Sequence, residues 1–114
     1  MSRSRFVLAS LVGVGAVAVA LPATAATPTL KGSVGPGFTI GLAKKPKKPG
    51  KYAFVISDKS SSHNFHLVGP GVNKKLTGVG ATGTSKPVTL VLKKGTYKFF
   101  CDVHPDLKGS FKIS

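Results

Sequence analysis

The chain has 114 residues, a single cysteine, no tryptophan and a formal net charge of +14, with 17 Lys and Arg set against 3 acidic residues. That length admits one small domain with a thin core, one cysteine excludes an internal disulfide, and three aspartates without a glutamate leave no carboxylate pair suited to glycoside hydrolysis. The charge speaks to solubility and anionic partners rather than to fold.

The N-terminus reads as an export signal. Arg3 and Arg5 precede the 16-residue apolar run Phe6–Leu21, and Pro22 and the small residues "ATAA" follow. Cleavage fits best after Ala26 and nearly as well after Ala25. The run is shorter than the roughly 20 residues a spanning helix needs, which weighs against an uncleaved anchor. No cysteine stands near the cleavage point, so a lipoprotein anchor is excluded. The expected product is an exported protein, periplasmic, cell-surface-associated or extracellular, with one domain over 27–114. Losing the two arginines takes the net charge from +14 to +12. Nucleic acid fits this product poorly: it has no arginine for bidentate contacts and no stacking aromatics interleaved with its lysines.

Beyond Ala26 every signal is for strands. Gly or Pro interrupts nearly every window, and no stretch repeats apolar residues at helical spacing. Strands are expected over 37–42, 51–57, 63–68, 87–92, 96–101 and 110–114, with short ones near 29–34 and 76–80. About seven to eight short strands at this spacing predict an all-β, Greek-key β-sandwich. Alternation puts Val88, Leu90 and Leu92 on one face, and Tyr97, Phe99 and Cys101 on another. Phe65 and Leu67 share a side with His63, so His63 and Cys101 close inward-facing rows at the edge of the core. The stretches "KKPGKY" (47–52) and "LKKGTY" (92–97) echo each other, each with Gly two positions before a strand tyrosine. The second has the form of a tyrosine corner, in which the phenol bonds back to upstream backbone.

Few side chains can carry chemistry: His63, His66, His104, Cys101, Asp58, Asp102 and Asp106. Cys101 and His104 form a Cys-x2-His turn directly after a strand, and His63 opens another. A small exported domain without disulfides commonly needs another staple, and a metal is the natural one. One thiolate and two imidazoles favour copper or zinc over harder ions. The same residues admit other readings: a small buried hydrophobe at Cys101, a disulfide between chains, a zinc site with water as fourth ligand, or a cysteine nucleophile with a histidine base. His66 has the opposite strand parity to His63 and is expected at the surface or behind the ligands, not among them.

The segments "SSHNFHLVGPGV" (61–72) and "GTYKFFCDVHPDLKGSFKI" (95–113) resemble the two halves of a cupredoxin (type 1 blue-copper) site, closest to the short-loop amicyanin-like and plastocyanin-like members. The resemblance covers roughly residues 37–114. It implies one copper per chain, held by His63, Cys101 and His104, with Asn64 bracing the cysteine loop. It also implies a one-electron carrier that is not an enzyme, working as a monomer. Its redox protein partners would be met at His104. The family's axial methionine is replaced by Leu107, which has no donor atom, and a backbone carbonyl from Ser62 is the nearest expected substitute. The missing donor implies a raised reduction potential. Two other functions use the same sequence: copper storage, delivery or sensing without a redox circuit, and a metal-free structural domain.

Three clusters of lysines are expected at one pole. Strand directions place Lys44, Lys45, Lys47 and Lys48, then Lys74 and Lys75, then Lys93 and Lys94, at the end opposite the metal donors. Lys59, Lys86 and Lys108 stay at the donor end. Such a pole keeps the protein soluble, or docks it on anionic lipid or cell-wall polymer.

Overall fold

The structure is a computed structural model that describes residues 26–114; the expected signal segment lies outside the described residues apart from its last position, Ala26. Nine strands and no helix make up the described part: β1 (Thr29–Val34), β2 (Ile40–Leu42), β3 (Gly50–Asp58), β4 (His66–Gly69), β5 (Val72–Lys75), β6 (Gly83–Thr84), β7 (Val88–Leu92), β8 (Gly95–Phe100) and β9 (Lys108–Ile113). They form two sheets. One runs β2-β1-β3-β6 with β7 also paired to β3, and the other runs β5-β4-β8-β9. The chain changes sheet three times, after β3, β5 and β7. These crossings bring β4 beside β8 although some thirty residues separate them, the long return that a Greek-key sandwich requires.

Alternation drives the layering. Leu30 and Val34 on β1, Phe54 and Ile56 on β3 and Leu92 on β7 turn inward from one sheet; Leu67, Tyr97, Phe99, Phe111 and Ile113 face them from the other. Two stacked aromatic pairs form the middle, Phe65 on Phe99 (centroids 5.1 Å) and Tyr97 on Phe111 (5.2 Å). Each buried ring contributes roughly 1.5–3 kcal/mol over exposure. This core lies between Leu30 and Ile113.

Several expected boundaries move. The second strand covers only 40–42. β4 starts at His66 rather than at 63, because the Phe65 carbonyl accepts bonds from Leu76 N and Thr77 N and so leaves the ladder. β1 pairs in parallel with β3 in a sheet otherwise antiparallel. No strand forms over 76–80; β5 lies earlier, at 72–75. Gly71 explains the shift: its φ of 70° supplies the left-handed turn residue that closes a β4–β5 hairpin directly after Pro70. The hairpin also overturns the expected position of Lys74 and Lys75. β5 runs back along β4, setting Lys75 opposite His66, with its Nζ 3.7 Å from Asp102 Oδ2. Both lysines therefore belong to the end that carries Cys101.

Candidate metal centre

Three segments meet at that end. The first leaves β3 at Asp58, whose Oδ1 accepts from Ser60 N (3.1 Å) and starts a tight turn. Ser60 Oγ accepts from Ser62 N, and the Ser60 carbonyl accepts from His63 N. These local bonds deliver a buried His63 to the rim of the core. The second segment follows β8. His104 N donates to the Cys101 carbonyl (3.3 Å), Leu107 N to the His104 carbonyl (2.8 Å) and Cys101 N to the Leu107 carbonyl (3.0 Å). Two successive turns thus hold Cys101 and His104 on one side of a seven-residue loop. The third segment, between β1 and β2, carries Phe38. Its exposed ring sets an edge-to-face contact against both His63 (6.0 Å) and His104 (5.6 Å).

The donor atoms converge. His63 Nδ1 lies 3.7 Å and His104 Nδ1 3.9 Å from Cys101 Sγ, and the two nitrogens are 3.1 Å apart. A triangle with those sides is acute, and its centre stands about 2.1 Å from every corner, within the range of first-row metal bonds to imidazole and thiolate. These three residues form a group able to hold one metal ion. Cys101 is wholly buried and His63 nearly so, while His104 is half-buried.

The remaining site residues take other places. Asn64, 1% exposed, spans the two ligand-bearing segments: its Nδ2 donates to Asp102 Oδ2 and its Oδ1 accepts from Asp102 N, both at 2.8 Å. His66 stays outside the donor group. Its Nδ1 lies 2.8 Å from Asp102 Oδ1 and its Nε2 2.6 Å from Asn73 Oδ1, and its ring leans on Phe100. The hydrogen bond with His66, more than any other influence, holds the Asp102 carboxyl below its ordinary value. Partial burial opposes this; the Asn64 bond and the nearby charges of His66 and Lys75 add to it. Leu107 is buried in the core and brings no donor atom. Ser62 is exposed and bonds through its backbone N–H.

The roles of two participants are not read from the sequence. Phe38 reads there as one residue of a strand, and only the shortening of β2 frees it to reach the histidines. Asp102 reads as a spare carboxylate beside Cys101, yet it ties Asn64, His66 and Lys75 to the cysteine loop. The tyrosine corner expected at Tyr97 forms at the opposite end, where Tyr97 Oη takes Lys93 N (2.8 Å) and donates to the Lys93 carbonyl; the echoing stretch does likewise, Tyr52 Oη donating to the Lys48 carbonyl (2.7 Å), which the sequence reading does not expect. Compared with known proteins, the chain matches no family model and no curated protein.

Proposed function

We propose that this chain is an exported mononuclear blue-copper protein that carries single electrons between redox partners. The observation that carries the reading is the acute triangle of His63 Nδ1, His104 Nδ1 and Cys101 Sγ, with its centre at metal-bond distance from all three. Two imidazoles and a thiolate in trigonal array suit copper, which when bound there supplies one-electron chemistry between its two common oxidation states. The resemblance of the two ligand-bearing segments to cupredoxins supports the same reading.

The chain's own part is to keep the donors in place. Asn64 ties the His63 segment to the Cys101 loop through two bonds to Asp102, and the loop's three backbone bonds fix the spacing of Cys101 and His104. A donor set held this firmly has little to rearrange when charge changes. Leu107 offers no fourth donor, and three soft-leaning donors favour the reduced ion. His104 is the least buried of the three, beside exposed Val103 and Pro105, and is the point of closest approach for a partner.

Adding Cu(II) to purified protein that begins at Thr27 tests this. The expected result is an intense blue colour from sulfur-to-metal charge transfer. The colour should be bleached by reductant, restored by oxidant and missing in Cys101→Ser. The three-donor set also favours a second reading, copper storage or delivery, which would show as tight Cu(I) binding without that colour. Zinc uptake alone, or no uptake, would overturn both.

A further inference from the structure

We propose that the pole opposite the His63–Cys101–His104 group is a membrane-facing surface that docks on anionic phospholipid headgroups. No acidic side chain opposes its charge. All three aspartates of the chain stand at the donor end: Asp58 closes β3, and Asp102 and Asp106 lie in the loop after β8. The opposite pole carries Lys44, Lys45, Lys47 and Lys48 before β3 and Lys93 and Lys94 between β7 and β8, all exposed.

The two lysine turns are braced through backbone, which leaves the ammonium groups free. Tyr97 Oη holds both the N–H and the carbonyl of Lys93, Tyr52 Oη holds the Lys48 carbonyl, and Ser114 N donates to the Lys47 carbonyl. A backbone ordered beforehand loses little freedom on docking. Charge complementarity selects anionic headgroups as the occupant: six exposed lysines share this pole with no acidic side chain. β1 starts at this pole, with the Pro28 carbonyl bonded to Ala53 N. The described chain therefore enters its first strand from the lysine side. Processing after Ala26 would add an α-ammonium at the same place. Large exposed apolar side chains are scarce there. Phe38, Val79 and Val103 belong to the donor end, and among the described residues Val91 alone lies near the lysines. Docking is therefore electrostatic, reversible and screened by salt. It points the metal donors away from the bilayer by about the length of a six-residue strand, about 20 Å.

The test needs no metal, so it stands or falls apart from the electron-carrier reading. The core draws only on residues between Leu30 and Ile113, so protein beginning at Thr27 keeps it whole. That protein is sedimented with vesicles of phosphatidylglycerol and phosphatidylcholine, and with phosphatidylcholine alone. Binding is expected only to the anionic vesicles, and salt should abolish it. Joint Lys44→Glu, Lys45→Glu, Lys47→Glu and Lys48→Glu should lower partitioning about a thousandfold or more. Joint Lys59→Glu, Lys86→Glu and Lys108→Glu at the donor end should lower it far less. The same four pole positions changed to Gln give a smaller drop in the same direction and guard against misfolding of the reversed variant. Equal losses from the two ends overturn the proposal. So does capture by a phosphate-rich wall polymer without vesicle binding, or no binding to either.

Discussion

At the donor end, side chains are tied to side chains and backbone across long gaps in sequence: Asn64 to Asp102, His66 to Asp102, Lys75 to Asp102. At the lysine pole the ties end on backbone, each tyrosine hydroxyl reaching a carbonyl four residues earlier, with the Pro70 and Lys47 carbonyls held from farther along the chain by Tyr97 Oη and Ser114 N. The contrast follows from what each end must present. A metal group needs side-chain atoms placed to a fraction of an ångström, so neighbouring side chains must hold one another. A charged face needs only that its lysines stay apart from carboxylates and in water, so bracing the backbone suffices.

Cutting the long-range tie should break this contrast most sharply. Asn64→Leu keeps the volume but leaves Asp102 N and Oδ2 without their 2.8 Å partners. The expected loss is about 3 kcal/mol, since one bond goes to a charged group and both are largely screened from water. Urea unfolding of metal-free protein measures it, and an unchanged midpoint would show that Asn64 does not brace the loop.

The lysine pole allows a finer test, because its two tyrosine ties differ in depth. Tyr97 is fully buried, and its hydroxyl serves Lys93 N, the Lys93 carbonyl and the Pro70 carbonyl. Tyr52 is half-buried and makes one bond in water's reach. Tyr97→Phe should cost about 2 kcal/mol and Tyr52→Phe about 0.5 kcal/mol. Equal effects in urea would mean that burial does not set the strength of these corners.

The same contrast governs what a reader of the sequence can see. The inward rows ending in Cys101 and Ile113, and the Tyr97 bond to backbone four residues upstream, depend on local alternation and turn chemistry. Both were legible. So was the meeting of His63, Cys101 and His104, because few other side chains of the right chemistry exist in the chain. Hidden were the features set by long-range register. The parallel β1–β3 pairing, the early turn at Gly71 that sends Lys75 to the donor end, and the reach of Phe38 across to two histidines are settled by how strands pair, not by any window of residues.

Leu107 offers a test confined to the donor end. Leu107→Met is a near volume-conserving change in the core, and it places a soft donor where the resemblance puts the axial ligand. If copper binds as proposed, a methionine sulfur strengthens Cu(II) relative to Cu(I). Each tenfold gain of this kind lowers the reduction potential by about 59 mV. The native protein should therefore have the higher potential in a redox titration. An equal or lower native value would remove Leu107 from the site.

Acid should separate the two ends most gently. Asp102 has its carboxyl lowered from 3.8 in the folded protein, chiefly by its hydrogen bond with His66. A carboxyl lowered on folding stabilises the fold fully above its unfolded value, and the contribution fades as pH falls from near 4 through the lowered folded value. The lysine pole has no acidic side chain to protonate, so acid should loosen the Asn64–Asp102–His66 ties while the tyrosine corners hold. Urea midpoints of metal-free protein at stepped pH should therefore fall more steeply below about pH 4 for the native chain than for Asp102→Asn. In His66→Phe the largest lowering influence is gone, and the Asp102 carboxyl should move back toward 3.8, so the loss should still begin near pH 4 but end at higher pH and be smaller. Parallel curves for the native chain and Asp102→Asn would mean that the carboxylate brings no acid-sensitive stability to the donor end, and that its bonds serve geometry alone.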